Sequence, residues 1–417
     1  MFILKNLSPR LFVLVLIFLF VFAFNAQLFA RQQDVNQPED FFEMPLEELM
    51  DVEIESPATL TKTKQQFVPA TVTTITKQDI QRSGARSLYE LLEARVPNFQ
   101  MIFHIAKLRH LGLRGIISNR DDKFLLLVNG RVMNEKTDFG VMTERDLPML
   151  SDIHHIDVVR GPGSALYGPG ALAMVINIVT EDATTFQGTQ VTGRLGAIEE
   201  FYSGEFKYGK KFKDDSGIFI YGGATKYPGA DLDYSPIVPG GTHTFSGITH
   251  TAGDEIDMWF NNFNESFRGL GKYKFHGQYT KGGLNIWARY TSGGEYIDFI
   301  RIKKKKLWPH EGEGYRQGTI YVGYDHSFSD NFSIKTAFSY DRTEVETRDG
   351  VYRIKSFREE EYYSKVVANL TPNESHSLAV GGEWSHELFG RRHSNDQGKA
   401  VMYLLPYNSR KTFDEAT

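Results

Sequence analysis

Phe332-Ser333-Ile334-Lys335-Thr336-Ala337-Phe338-Ser339-Tyr340-Asp341 is the stretch that decides the fold class. Phe332, Ile334, Phe338 and Tyr340 fall on one side of an extended chain and Ser333, Lys335, Ser339 and Asp341 on the other, because successive side chains of a strand point to opposite faces. The same period of two sets Tyr273, Phe275 and Tyr279 against Lys272, Lys274, His276 and Gln278. It also sets Leu284, Ile286, Ala288 and Tyr290 against Asn285, Arg289 and Thr291, and Leu378, Val380 and Trp384 against Gly381, Glu383 and Ser385. From about Gln187 onward helical periodicity gives way to this alternation, with one face greasy and the other wet.

Short turns near 214–217, 281–283, 329–331 and 372–374 separate these strands from long segments at 228–267, 293–314 and 346–357. Tight connections on one side and long ones on the other are the pattern of an outer-membrane barrel. A soluble β-sandwich also alternates. It gives no reason for the regular turn lengths, or for aromatics such as Tyr290, Phe328 and Tyr340 near strand ends, where a barrel places its interfacial girdles. Residues 187–417 hold about nine strands at roughly ten residues per crossing. A closed barrel of even strand number needs more, so the sequence is expected to be the N-terminal part of a longer chain.

Composition agrees. With 47 basic and 52 acidic residues among 417 the net charge is −5, which excludes a polycation built for nucleic acid. The absence of Cys excludes a disulfide framework, a Cys-ligated zinc site and a thiol nucleophile. Lys5 and Arg10 precede the apolar run Leu11 to Phe24, and Ala30 stands before Arg31-Gln32-Gln33, so residues 1–30 read as a signal peptide. Residues 31–54 read as a flexible lead. No later apolar run reaches the length of a membrane-spanning helix, so a membrane-spanning mature protein must cross with strands.

Between these parts lies an α+β unit at 55–185. Thr76 with Asp79 and Ser87 with Glu90 have capping-box spacing. The second helix is expected from Leu88 to about Arg95, ending before Pro97. Residues 124–128, 156–159 and 175–179 read as strands. Asn129-Gly130 supplies the two positive-φ positions of a tight hairpin.

The motifs of this unit occur in a family-like order: Pro69 to Thr76, Asp79 to Leu92, Val96-Pro97-Asn98, Leu113-Arg114-Gly115, Leu127-Val128-Asn129-Gly130, Ile156 to Gly168 and Val175 to Thr180. Together they resemble the plug domain of the TonB-dependent outer-membrane receptors. Asn98 and Asn129 depart from the usual Gly and Asp, and Asn tolerates the left-handed backbone. The resemblance implies an α+β plug inside an antiparallel transmembrane β-barrel in the outer membrane, of which residues 186–417 are a part. It also implies active import of a scarce ligand driven by the TonB energy-transducing protein. A ferric siderophore is favoured by family frequency, and cobalamin is the alternative, ahead of carbohydrate or haem. A signalling receptor or an adhesin barrel is the rival class.

By the same resemblance, Asp51-Val52-Glu53-Ile54-Glu55 is the candidate TonB box, an extended segment suited to strand addition. Arg114 and Arg160 are the plug arginines that would meet glutamates on the barrel wall, where a guanidinium can hold a carboxylate bidentately. His243, His250, Trp259 and Phe260, in the longest connection, are candidate ligand contacts. The expected partners are TonB, outer-membrane lipid and a metal chelate or other small ligand. No catalytic set, cofactor, metal site or nucleic-acid contact is expected. His154-His155 at a strand start should point to opposite faces. Lys303 to Lys306 reads as a solvated charge run or a contact for anionic lipid phosphates. Gly161-Pro162-Gly163-Ser164-Ala165-Leu166 fits a dinucleotide fingerprint poorly, because Leu166 stands where the third Gly belongs.

Overall fold

The computed structural model describes residues 71–406 apart from connecting stretches, chiefly 162–169, 197–200, 227–232, 235–241, 264–271 and 395–399, together with 53–54 and 63–64. The expected signal peptide lies outside the described residues.

The N-terminal unit opens with β1 (Glu53–Ile54) paired to β2 (Thr63–Lys64). There follow β3 (Thr71–Thr76), helices α1 (Lys77–Ser83) and α2 (Leu88–Arg95), β4 (Phe99–His104), β5 (Lys107–Leu113), β6 (Ile116–Ile117), β7 (Phe124–Val128), β8 (Arg131–Val132), β9 (Ile153–Arg160) and β10 (Met174–Thr180). The central sheet runs β3-β9-β10-β7-β8, with β10 parallel to β7 and its other pairs antiparallel. Strand β7 is buried throughout, as a continuous apolar run requires when both faces are covered. Leu88, Tyr89, Leu91 and Leu92 of α2 pack with Ile75, Phe124, Leu126, Ile156 and Ile176 in one core.

The helix caps form as the spacing predicts, with one difference. Thr76 Oγ1 accepts from the Asp79 amide at 3.2 Å, and Asp79 accepts from the Thr76 amide at 3.0 Å, a complete capping box. Ser87 accepts from the Glu90 amide, but the Glu90 carboxylate takes the Arg86 amide at 2.8 Å and the Arg86 guanidinium, so the second box is half made. Asn129 and Gly130 adopt φ of 49° and 77°, the pair of left-handed conformations that a type I′ turn between β7 and β8 requires.

The rest is one large antiparallel sheet. Its continuous path is β11 (Gly188–Gly196), β12 (Phe201–Lys211), β13 (Gly217–Lys226), β19 (Lys272–Lys281), β20 (Leu284–Ile302), β21 (Lys305–Ser329), β22 (Phe332–Asp349), β23 (Arg353–Asn373), β24 (His376–Ser394) and β25 (Ala400–Pro406). The short strands β14 (Asp233–Tyr234), β15 (Thr242–Phe245), β16 (Ile248–Thr251), β17 (Ile256–Trp259) and β18 (Asn261–Phe263) lie in the connection from β13 to β19. Ten strands in register are close to the nine read from the alternation.

Two of the expected long loops are corrected. Residues 293–314 and 346–357 are largely strand: β20 to β23 run 18 to 25 residues, well past the roughly ten of a membrane crossing. Pairing of Gly293 with Tyr315 through to Ile302 with Lys305 continues the wall outward as a hairpin. Charged residues such as Glu295, Arg301, Lys305 and Lys306 concealed the continuation, since beyond the bilayer neither face of the wall needs to be apolar. The alternation itself holds. Phe275, Tyr290, Ile320, Phe338, Val380 and Trp384 stand exposed on the outer face, while Lys274, His276, Trp287 and Arg289 are buried on the inner one. An apolar band of this extent belongs against lipid.

Candidate functional site

Over much of β12, β13 and β19 to β22 the inner face of the sheet does not meet bulk water. It meets the plug. A stretch without regular structure, Thr143 to Asp152, leaves the β7–β8 hairpin region and runs along the inner face of β12, β19, β20 and β21. Its carboxylates take up the wall's cations. Glu144 holds Arg289 bidentately, with Oε1 to Nε at 2.6 Å and Oε2 to Nη2 at 2.9 Å. Asp152 receives Lys274 Nζ at 2.7 Å on Oδ1 and Arg289 Nη1 at 2.8 Å on Oδ2. Asp146 pairs with Lys272 at 2.6 Å and accepts from the Gly294 amide at 2.8 Å and the Tyr315 hydroxyl at 3.0 Å. Beyond this stretch, Glu181 after β10 binds Lys207 at 2.6 Å and also Lys77.

These groups are sealed from solvent: the side chains of Glu144, Asp152, Lys274 and Arg289 are each 1% exposed or less. Burial alone would raise the carboxylate pKa values, but the cations outweigh it. Glu144 and Asp146 are held below the ordinary range, by Arg289 and Lys274 and by Lys272 respectively. Asp152, between Lys274 and Arg289, is lowered to about 2.

Strands β22 to β24 reverse the polarity. Plug Arg131 on β8 donates to Asp341 at 2.7 Å and Glu361 at 2.5 Å, and its guanidinium lies 4.3 Å from the Tyr363 ring centre. Lys136 reaches Glu361 at 3.0 Å and Glu387 at 2.5 Å, and its backbone amide donates to Glu359 at 3.0 Å. Burial would lower both plug cations' pKa values, and these carboxylates raise them instead. The plug therefore presents carboxylates to a basic wall and cations to an acidic one.

A model of the TonB-dependent receptor plug domain matches residues 64–175, the unit that fills this lumen. The chain carries a plug domain of the TonB-dependent receptor type. The receptor is 27% identical over 263 residues to the vitamin B12 transporter BtuB of Vibrio vulnificus strain CMCP6, a match covering 60% of this chain and 39% of that protein. It is 27% identical over 232 residues to the probable TonB-dependent siderophore receptor PirA of Acinetobacter baumannii, covering 49% and 29%. The crystal structure of BauA, the ferric preacinetobactin receptor of Acinetobacter baumannii, shares the fold with a TM-score of 0.56 at 13% identity, over 84% of this chain and 53% of that one. The receptor chain thus spans about half, or less, of the length of the proteins it matches. The outer membrane is its location, as the lipid-facing band of the sheet requires.

Of the residues named from the sequence, Glu53 and Ile54 form β1, in register with Lys64 and Thr63, and Asp51, Val52 and Glu55 lie outside the described residues. Arg114 is exposed at φ 50° in the turn from β5 to β6, its amide donating to the Asn98 carbonyl. Arg160 ends β9, between Thr71 and Met174, and its buried Nε has no hydrogen-bond partner among the described residues. Neither forms a described salt bridge. His243 and His250 are cross-strand partners in the β15–β16 hairpin, and Trp259 pairs with Asp233. Phe260 and the side chains of Lys303 to Lys306 lie outside what is described.

The expectation for His154 and His155 is corrected. Their Nδ1 atoms approach to 2.7 Å with the rings edge to face. A bulge pairs Val179 with His155 and Thr180 with Ile153, which leaves His154 without an opposite residue and turns its ring toward its neighbour. No group of three or more metal-binding side chains occurs among the described residues.

The charge network was only half visible in sequence. Lys272, Lys274 and Arg289 stand on the polar register of their strands, but nothing along the chain tells a lumen filled with water from one filled with Glu144, Asp146 and Asp152.

Proposed function

We propose that this chain is the front part of a TonB-dependent importer that carries a scarce chelate, a ferric siderophore, across the outer membrane. The observation that supports it is the nature of the plug's seat. The plug is held against the wall by buried ion pairs and hydrogen bonds, together with two small apolar clusters, Leu147 and Met149 with Phe219 and Tyr221, and Met142 with Tyr315 and Val345. The polar contacts fix one position sharply, yet each broken pair can be satisfied by water entering the lumen, so a pull has only these small apolar clusters to separate. Asp51 to Glu55 is the segment we assign to TonB. Strand β1 already has the extended form needed to add to a partner's sheet, and its pairing with β2 would have to be released. Arg114 and Arg160 are assigned as plug–barrel contacts made with wall residues beyond those described. His243, His250, Trp259 and Phe260 are assigned to ligand contact in the β13–β19 connection.

Cobalamin is the second reading, favoured by the likeness to a protein named a vitamin B12 transporter. The test is uptake by cells that lack their own receptors and express the full-length gene, supplied in parallel with radiolabelled ferric siderophores and radiolabelled cobalamin, with and without TonB. We expect TonB-dependent accumulation of a siderophore. Accumulation of cobalamin alone favours the second reading, and uptake indifferent to TonB refutes both.

A further inference from the structure

Lys207 on β12, Lys272 and Lys274 on β19 and Arg289 on β20 are buried cations on one inner face, with Phe219 and Tyr221 of β13 between Lys207 and the other three, and each cationic side chain is only 1–3% exposed. Every salt bridge described for these four runs to a plug carboxylate: Glu181, Asp146, Glu144 or Asp152. Glu205 is the buried carboxylate among them, and it is engaged by Ser151 and Tyr221, with the Arg194 guanidinium 3.7 Å away. Once the plug carboxylates leave, the wall holds several buried cations against one carboxylate. A buried cation deprived of its partner is strongly unfavourable, so the uncovered face must take up water or another anion.

The two walls are not covered alike. The acidic wall is covered by Arg131, on β8 within the hydrogen-bonded plug sheet, and by Lys136 in the turn beyond it. The basic wall is covered mainly by Thr143 to Asp152, which lacks helix or strand.

We propose that the inner face of β12, β19 and β20 is a track for an anionic ligand, occupied in the resting receptor by plug carboxylates that act as its stand-ins; this rests on the transport reading above and adds the charge sign of the cargo. A ligand with carboxylate, catecholate or phosphate oxygens would replace Glu144, Asp146 and Asp152 one after another. A neutral ligand would gain nothing from this face.

The test uses the full-length receptor in detergent with sulfate as probe. Glu144→Gln combined with Asp152→Asn leaves Lys274 and Arg289 facing neutral amides. At matched ionic strength, sulfate should raise the plug's melting temperature in this variant by about 2–4 °C over chloride, with no such difference in the unsubstituted receptor. Arg131→Gln, which uncovers the acidic wall, should show no sulfate response. Equal effects of sulfate and chloride in the first variant, or an equal sulfate response in Arg131→Gln, overturn the proposal. Should the double variant fail to fold, Asp146→Asn, which uncovers only Lys272, is read the same way. A receptor that binds sulfate here yet takes up no ligand in cells refutes transport and leaves the basic track standing.

Discussion

Asp152→Asn tests the plug's seat at its most buried point. The substitution keeps size and hydrogen-bonding capacity but removes the charge that faces Lys274 at 2.7 Å and Arg289 at 2.8 Å. Breaking a buried pair by removing one partner costs about 3–5 kcal/mol, because the cation stays behind without compensation. Glu144 still holds Arg289, and the Met149 carbonyl still accepts from Lys274, so we expect the lower end, about 3 kcal/mol. A loss of that size raises the population of plug-released receptor by roughly a hundredfold. Hydrogen exchange of the full-length receptor, read by mass spectrometry on peptides covering 143–160, should speed up by about that factor if exchange proceeds through plug release. Asp214→Asn is the control: Asp214 pairs with Lys281 at a turn where both side chains are more than half exposed, and its loss should leave exchange unchanged. Exchange in Asp152→Asn indistinguishable from the unsubstituted receptor would refute the idea that buried charge pairs seat the plug.

Acid should loosen the plug in two steps. His154 has its pKa lowered, by burial first and then by the neighbouring His155, so its contribution is complete above the ordinary value of 6.5 and declines as pH falls below it; His154→Gln should abolish this step in a pH series of plug unfolding. Asp152, lowered to about 2 from an ordinary 3.8, contributes fully above about pH 4 and loses its contribution as pH falls toward 2; Asp152→Asn should remove that second step. Thr76→Ala removes the hydroxyl that accepts from the Asp79 amide while leaving the Thr76 amide bonded to the Asp79 carboxylate, and should cost about 1 kcal/mol of plug stability in a urea titration, where no change in midpoint counts against the cap. Gly140→Ala should cost more, about 2 kcal/mol or above, because φ is +58° and a Cβ would lie 2.5 Å from the Arg120 and Asp121 carbonyl oxygens; full stability by the same titration would contradict this local geometry.

The plug was legible because its signals are local. A capping box, an Asn-Gly turn and an unbroken apolar strand each specify a conformation within a few residues, and α2 and β7 lie where those signals put them. The barrel strands were legible within the bilayer, where lipid enforces apolar residues on one face. They were not legible above it, where β20 to β23 continue with charged residues on both faces. The site was least legible. Glu144, Asp146 and Asp152 carry no motif and belong to no regular element, and their importance comes from meeting Lys272, Lys274 and Arg289 more than 120 residues away. Arg131, not singled out by the family resemblance, reaches the wall because the turn at Asn129-Gly130 aims β8 at β22 and β23. For His154 and His155 the strand rule failed at a bulge that involves Thr180, a feature set by pairing with a distant strand.

The most direct measurement is a cross-link between plug and wall in the membrane. These 417 residues contain no cysteine, so Ser151→Cys with Glu205→Cys places the two thiols of this region at positions whose side chains now meet at 2.5 Å. In outer membranes containing the full-length receptor, a short thiol-reactive cross-linker should join the two sites, arrest uptake, and release both effects when a reducible linker is cleaved. Failure of the sites to join in intact membranes, with both thiols shown to be reactive one at a time, would contradict a plug seated on this wall.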